Sequence, residues 1–260
     1  MSGPAAFATY PSLAGRSVLV TGGASGIGAD LVTQFCGQGA HVAFIDIDDG
    51  AGARLAASLG QSSGRSPLFR RADLLDLNES LMAVADMEAI VGSFSVLVNN
   101  AGDDARHAAL EITPDLWDRQ MGVNLRHQFF LAQHMVRQLP PDRRGSIINL
   151  GSIAWMKGAR DVLVYATAKS ATVGLTKSMS REFGDRGVRV NAIAPGWIGT
   201  EKQIERAERL RPGSFGDAVA AQAIPEVLTP GDVSRLALWL AADDSIHVTG
   251  QTIVVDGGMA

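Results

Sequence analysis

A tyrosine and a lysine lie four residues apart in the segment YATAK (165–169). Residues i and i+4 of a helix share a face, so we expect the ammonium of Lys169 beside the phenol of Tyr165. An isolated tyrosine has a pKa of about 10 and is a poor base at neutral pH, but a cation about 4 Å away would lower that pKa by about three units. The pair therefore predicts a phenol that removes a proton from a substrate hydroxyl.

A glycine-rich turn, TGGASGIG (21–28), directly follows the apolar run SVLV (17–20). Between a strand and a helix, such glycines let the backbone approach a pyrophosphate at the positive N-terminus of the helix. Gly26 and Gly28 are expected to begin that helix. The turn alone is weak evidence, because glycine also serves ordinary tight turns.

Asp46 supplies a second feature of a dinucleotide site, at the expected end of the second strand and 18 residues after Gly28. A carboxylate there can bind the adenosine ribose hydroxyls and would repel a 2′-phosphate. No Lys or Arg lies in residues 21–28 or directly after Asp46. The pattern predicts NAD rather than NADP, the alternative being that Asp46 is a solvated loop carboxylate.

The elements that must position these residues alternate between short apolar runs and longer amphipathic segments. Strands are expected at residues 17–20, 41–45, 66–70, 95–99, 145–150, 188–193 and 252–256. Helices are expected at residues 26–37, 50–59, 78–91, 114–138, 163–183 and 231–242. This alternation predicts an α/β fold with a doubly wound parallel sheet covered by helices on both faces. Residues 201–225 lack a strand signal and are expected to act as a substrate lid.

The length and composition indicate one domain, residues 1–260, with an N-terminal extension at residues 1–14. A chain of 260 residues with 46% hydrophobic content can bury one large core. The net charge of −4, without a basic stripe, argues against nucleic acid as a partner. No apolar stretch predicts a membrane span or signal peptide, so a cytoplasmic protein is expected.

Four further stretches complete a pattern: NNAG (99–102), VNL (123–125), GS (151–152) and PGWIGT (195–200). In order and spacing, with TGGASGIG and YATAK, they resemble the classical short-chain dehydrogenase/reductase family from about Gly15 to Gly258. The resemblance implies a single Rossmann-like domain with a seven-stranded parallel sheet. It also implies an oxidoreductase that uses a nicotinamide cofactor.

The resemblance assigns catalytic roles to Asn124, Ser152, Tyr165 and Lys169. Tyr165 would take the proton from the substrate hydroxyl, and Ser152 would hydrogen-bond the reacting oxygen. Lys169 would also hold the nicotinamide ribose, and Asn124 would support a water that relays protons. The alternatives are a surface tyrosine at 165 and a simple cap at Ser152.

The resemblance also implies a set of cofactor contacts, from the pyrophosphate and the adenine edge to the nicotinamide carboxamide. They are Gly22, Ser25, Gly26, Ile27, Gly28, Asp46, Ile47, Asp73, Leu74, Asn100, Ala101, Gly102, Tyr165, Lys169, Pro195, Gly196, Ile198 and Thr200.

The substrate expectation rests on NNAGDDARH, VNLRHQFF and NLGSIAW, which in combination resemble the NAD-dependent aldose dehydrogenases. This implies oxidation at C1 of D-xylose or a similar aldose to the lactone. Sugar sites need hydrogen-bonding groups and an aromatic or apolar wall. The candidates are Asp103, Asp104, Arg106, His107, Ser152, Trp155, Tyr165 and Trp197. The alternatives are a surface ion-pair cluster at 103–107 and packing roles for the tryptophans.

Several other functions remain open from the sequence. A dehydrogenase of L-arabinose, D-galactose or L-fucose fits nearly as well as one of D-xylose. A reductase of 3-oxoacyl groups or hydrophobic ketones would prefer an apolar pocket, and a non-catalytic NAD-binding protein would not require the catalytic set. No metal site is expected, because His127 and His134 lack an evident third ligand. A homo-oligomer is expected, with a tetramer favoured over a dimer.

Overall fold

A computed structural model describes residues 7–63 and 66–260, whose sheet has seven parallel strands with helices on both faces. The strand order is β3-β2-β1-β4-β5-β6-β7. The strands are β1 (Ser17–Thr21), β2 (His41–Asp46), β3 (Leu68–Arg71), β4 (Val96–Asn99), β5 (Gly145–Leu150), β6 (Val188–Pro195) and β7 (Thr252–Val255). This confirms the predicted fold class, although each end of a strand differs from the expected position by up to two residues.

The helices are α1 (Gly26–Gly37), α2 (Asp49–Ser63), α3 (Leu77–Val91), α4 (Pro114–Met121), α5 (His127–Gln138), α6 (Leu163–Glu182), α7 (Glu201–Leu210), α8 (Ser214–Ala220) and α9 (Pro230–Ala241). Capping residues mark the starts of several of these helices. Asp76 accepts a hydrogen bond from the Glu79 amide at the start of α3, and Thr229 and Asp232 form a reciprocal capping box at the start of α9.

The central strands are buried on both faces, which explains their continuous apolar sequences. Val18 and Val20 of β1 pack in a cluster with residues of α1 and α9. Leu19, between them, belongs to the opposite cluster, formed with residues of α3, α5 and α6. The two clusters pack on opposite faces of the sheet. Because the strands are parallel, their carboxyl ends all lie on the same side of it.

Two predicted segments differ in detail. The expected helix at 114–138 is three pieces, because a π-helical turn at Gly122–Arg126 separates α4 from α5. The expected lid at 201–225 contains α7 and α8. Of the predicted N-terminal extension, residues 1–6 lie outside the described residues. Leu13, farther along it, is fully buried against the core.

Within residues 7–63 and 66–260, no helix is both long and apolar enough to cross a bilayer.

Candidate active site

The candidate site lies where the strand order reverses between β1 and β4, the usual place for a ligand in an open parallel sheet. A cavity of about 740 Å³ opens there at the carboxyl ends of the strands. Every residue expected to contact the cofactor lines this cavity. The sequence motifs after β1, β2, β4, β5 and β6 therefore meet in one place.

The glycine-rich turn has a backbone that larger residues could not reproduce. Gly22 has a φ of +64°, and a Cβ there would lie 2.8 Å from Cα of Ala101. A Cβ on Gly28 would lie 1.8 Å from the carbonyl oxygen of Gly22. These contacts pack the start of α1 directly on the end of β1. The amides of the helix N-terminus consequently lie at the cavity wall, where they fit a pyrophosphate.

The end of β4 is tied to the same turn by hydrogen bonds. The Asn100 side-chain amide donates to the carbonyls of Thr21 and Gly22, at 3.0 and 2.9 Å. The Thr21 hydroxyl accepts from the amides of Asn100 and Ala101, at 3.0 and 3.1 Å. The two neighbouring strand ends therefore form one rigid unit.

Asp46 is half-buried at the end of β2, rather than solvated in a loop. One carboxylate oxygen accepts a hydrogen bond from the Ala24 amide, at 2.9 Å. The other accepts from the Asp48 amide, at 3.0 Å. The carboxylate is thus held against the glycine-rich turn, in position for a ribose diol at the adenosine end.

Tyr165 and Ser152 line the cavity on its β5 side, three strands away from Asp46 at the end of β2. Tyr165 is half-buried in the first turn of α6, and Ser152 follows β5. Burial raises the pKa of Tyr165 to about 12, although its hydrogen bond with the Ser152 hydroxyl acts to lower it. The pair can hold a substrate hydroxyl between two protein hydroxyls.

Lys169 does not act on Tyr165 as the sequence predicted. Its ammonium lies 5.6 Å from the centre of the Tyr165 ring and donates to the Leu150 carbonyl, at 2.8 Å. Burial lowers the pKa of Lys169 itself to about 8. In the protein without cofactor, burial of Tyr165 keeps its pKa above the usual value, so the lowering expected from Lys169 is not seen there.

Asn124 lies behind the cavity wall and is fully buried in the π-helical turn. Its side-chain oxygen accepts from the Asp103 amide at 2.9 Å, and its nitrogen donates to the carbonyls of Asp103 and Gln120. The hydrogen bond to the Gln120 carbonyl, at 3.0 Å, ties the π-helical turn to the end of α4. Asn124 thereby fixes the chain that follows β4.

The expected substrate residues divide into two groups. Asp103, Asp104, Arg106, Ser152, Tyr165 and Trp197 line the cavity. His107 and Trp155 do not lie among its lining residues. The His107 amide donates to the Asp161 carbonyl, and the Trp155 side chain is partly exposed to solvent. Their expected substrate contacts therefore gain no support from this geometry.

A family model described as enoyl-(acyl carrier protein) reductase matches residues 22–260. The chain belongs to the short-chain dehydrogenase/reductase family. D-xylose 1-dehydrogenase of Caulobacter vibrioides is 40% identical over 251 residues, which cover 96% of this chain and 98% of the relative. A probable galactose dehydrogenase of Rhizobium meliloti is 40% identical over 250 residues, covering 96% and 97%.

Among solved structures, the blue fluorescent protein from a metagenomic library, in complex with NADPH, superposes with a TM-score of 0.87. It is 33% identical, and the match covers 96% of this chain and 99% of that protein. The chain is accordingly an oxidoreductase of the short-chain dehydrogenase/reductase family, and its relatives include dehydrogenases that act on CH–OH groups.

Sequence reasoning missed the part of this short-chain dehydrogenase site that α7 supplies. Lys202, Gln203 and Arg206 line the cavity, and Arg206 forms an ion pair with Asp104. Burial acts to raise the pKa of Asp104, but hydrogen bonds from Arg206 and Gln203 bring it below its usual value. The i, i+3 spacing of Gln203 and Arg206 was the available signal, because it places both on one face of a helix.

The chain shows no metal cluster among the residues described. No group of three or more His, Cys, Asp or Glu side chains with ligating geometry occurs there. His134, one of the two histidines considered, instead pairs with Glu88, at 2.8 Å.

Proposed function

We propose that this protein oxidises C1 of D-xylose or a closely related aldose to the lactone, with NAD as the hydride acceptor. The observation that carries the proposal is the position of Tyr165 and Ser152 in the same cavity as a polar wall. That wall contains Asp104, Gln203 and Arg206, which suit a polyhydroxylated substrate better than an acyl chain. The likeness to D-xylose and galactose dehydrogenases supports the same choice.

The proton chemistry follows from the placement of the side chains. The anomeric hydroxyl would lie between Tyr165 and Ser152, which would donate a hydrogen bond to its oxygen. Because burial keeps the Tyr165 phenol protonated, Tyr165 takes the substrate proton only when the positive charge of bound NAD lowers its pKa. NAD, when bound, would supply the acceptor for the hydride that leaves C1. Lys169 would hold the nicotinamide ribose, and Asn124 would support a water for proton exit. Oxidation requires Tyr165 to take the proton of the substrate hydroxyl. Because a higher pH favours the deprotonated phenol, we expect the rate of oxidation to rise with pH.

The cofactor proposal rests on the fit of the adenosine end to NAD. Gly28 packs so closely on the Gly22 carbonyl that no side chain fits where we propose the pyrophosphate binds. The Asp46 carboxylate accepts a hydrogen bond from the Ala24 amide of the same turn. Arg71 is paired in register with Asp46 across the strands, but its guanidinium binds Glu79, at 2.6 Å. That cation is thus drawn away from a 2′-phosphate, whereas the Asp46 carboxylate favours a free ribose diol.

The remaining predicted contacts are retained as part of this proposal. Ser25, Gly26 and Ile27 bind the pyrophosphate through backbone amides. The adenosine half and the nicotinamide half are bound by the residues already found along the cavity, namely Ile47, Asp73, Leu74, Asn100, Ala101, Gly102, Pro195, Gly196, Ile198 and Thr200.

The assembly proposed is a homo-oligomer, with a tetramer favoured over a dimer. Trp117 of α4, Phe129 of α5 and Leu163 of α6 are large apolar side chains that remain partly exposed. Paired helices of this kind can bury such groups across a two-fold axis. Light scattering after size-exclusion chromatography gives the mass that tests this part of the proposal.

The function is tested by the appearance of reduced cofactor with a panel of aldoses, polyols and secondary alcohols. We expect turnover with D-xylose or another aldose and NAD. 1,5-Anhydroxylitol is the matched control, because it retains the ring and the other hydroxyls but lacks the anomeric hydroxyl, and it should not react. Turnover confined to acyclic or apolar alcohols would reject the aldose assignment.

A further inference from the structure

Three polar side chains of the cavity wall form a network between the chain after β4 and the helix α7. The Gln203 side-chain amide donates to Oδ2 of Asp104, at 2.9 Å, and Arg206 donates to the same oxygen. Arg206 also donates to Oε1 of Gln203, at 3.0 Å. The indole N–H of Trp197 donates to that Gln203 oxygen, at 3.2 Å. The network thus joins residues that are about a hundred positions apart in the chain.

The Asp104 carboxylate has room for further hydrogen bonds. Both side-chain donors converge on Oδ2, and the Asp104 backbone also hydrogen-bonds the carboxylate. The Asp104 and Arg206 side chains are 29% and 18% exposed, so the pair is partly desolvated but open to the cavity they line. Because a carboxylate has about four acceptor positions, Asp104 can accept from one hydroxyl while the guanidinium donates to its neighbour.

The network is also close to the reacting groups. Asp104 lies five residues after the end of β4, Ser152 lies two residues after the end of β5, and β4 and β5 are neighbours in the sheet. Both residues line the same cavity as Tyr165. A small ring that places one hydroxyl at Tyr165 can therefore reach the network with another.

We propose that Asp104, Gln203 and Arg206 form a diol subsite, which binds adjacent hydroxyls of the sugar other than the one that is oxidised. The inference rests on the proposed aldose oxidation and names the residues that select the substrate within it. Gln203 positions the other two, since its amide donates to Asp104 and accepts from Arg206 and Trp197. Because α7 carries two of the three residues, a bound diol also holds this helix against the cavity.

A substrate pair separates sugar recognition from chemistry. The first member is the best aldose substrate of the wild-type protein. The second is 2-hydroxytetrahydropyran, a cyclic hemiacetal that keeps the ring and the reacting hydroxyl but lacks the others. We expect Asp104→Asn and Arg206→Gln each to lower kcat/KM for the aldose by about 100-fold, because buried polar groups lose their partners. With the truncated hemiacetal, which never engages the subsite, the same variants should lose less than about threefold.

Arg209→Gln is the matched control, because Arg209 is exposed on the same helix and lies outside the cavity. It should leave the ratio of the two kcat/KM values at the wild-type level. Thermal unfolding and the KM for NAD, measured for all variants, show whether the fold and the cofactor end are intact.

The outcomes distinguish this subsite from the function on which it rests. A loss of equal size on both substrates would mean that the network only holds α7 in place, and no loss on either would make it a surface ion pair; both overturn the subsite. If the wild-type protein oxidises aldoses but the variants lose equally on both substrates or on neither, the proposed function stands and only the subsite is rejected. A wild-type protein that oxidises no aldose overturns both.

Discussion

The two ends of the cavity are constructed differently. At the proposed cofactor end, the cavity wall is backbone held between buried strands, as where Gly28 packs on the Gly22 carbonyl and Asn100 binds the chain after β1. At the proposed substrate end, the wall is made by side chains of a half-exposed helix, of which Arg206 pairs with Asp104. The backbone wall requires residues such as Gly28, where no side chain fits. The side-chain wall depends on polar pairs that other residues could replace.

The difference explains how one fold can serve many substrates. A backbone-built cofactor end can remain constant while side chains on α7 change the substrate. Thr200 connects the two ends, because it caps the start of α7 through the Gln203 amide and would lie 3.3 Å from a Cβ on Gly26. The start of α7 therefore lies next to the glycine-rich turn.

The junction of the two ends is tested by Tyr165→Phe, for which we expect the largest effect. Removal of the phenol hydroxyl should lower kcat by about 1,000-fold or more, because the base for the substrate proton is lost. The Kd for NAD should change by less than about threefold, since the other predicted cofactor contacts remain. Steady-state rates and isothermal titration calorimetry with NAD measure the two quantities. Retained turnover would show that another group takes the proton.

The backbone-built end is tested by Gly28→Ala. A Cβ at this position would lie 1.8 Å from the Gly22 carbonyl oxygen, so the turn must shift. We expect a loss of about 3 kcal/mol in the free energy of unfolding, together with loss of cofactor binding. Denaturant unfolding and cofactor titration give the two values.

Gly37→Ala is the control for that substitution, because it lies in the same helix with nothing within 4 Å of its added Cβ. It should leave cofactor binding unchanged and stability the same or slightly higher. If the two variants behaved alike, the cofactor end would not depend on the close contact at Gly28.

The same division decides what the sequence could predict. The positions of the glycine-rich turn and of Asp46 were predictable because their signals are local: TGGASGIG follows an apolar run, and Asp46 ends the next one. The strands were predictable because burial on both faces leaves continuous apolar sequences such as SIINL. The position of Asn124 was predictable only by resemblance, since nothing local marks the π-helical turn that orients it.

The substrate end could not be read in the same way. The pairing of Arg206 with Asp104 depends on how α7 docks, and charged residues on a helix read equally well as a solvated face. His107 and Trp155 have side chains suited to a sugar, but neither lies among the residues that line the cavity. Their residue types alone did not show where the folded chain would place them. The pKa of Tyr165 also depended on burial, which residue spacing does not reveal.

Cofactor choice sharpens the comparison, because it adds a side-chain charge to the backbone-built end. Asp46→Ser removes the carboxylate but keeps an oxygen that can accept from the Ala24 amide. We expect the ratio of kcat/KM for NAD over NADP to fall by about 100-fold, since repulsion of a 2′-phosphate is removed.

Asp48→Ser is the control for that ratio, as it changes the net charge equally at an exposed position two residues away. It should leave the preference for NAD at the wild-type level. A wild-type protein that prefers NADP would contradict the role assigned to Asp46.

Lys169 gives the smallest expected effect, as a dependence of stability on pH. Its pKa is lowered to about 8 by burial, whereas an unfolded lysine titrates at about 10.4. Between these values the unfolded chain binds more protons, so the free energy of unfolding rises with pH. Tyr165, with its pKa raised to about 12, acts in the opposite direction only above about pH 10.

The measurement is the difference in free energy of unfolding between pH 7 and 9.5, for wild type and for Lys169→Met. The wild-type increase should exceed that of the variant by about 2 kcal/mol. Lys177→Met, an exposed position on the same helix, should retain the wild-type increase. Equal slopes in all three proteins would mean that Lys169 titrates as an exposed lysine does. In that case the Lys169 ammonium would stay charged over this pH range, and burial would not lower its pKa.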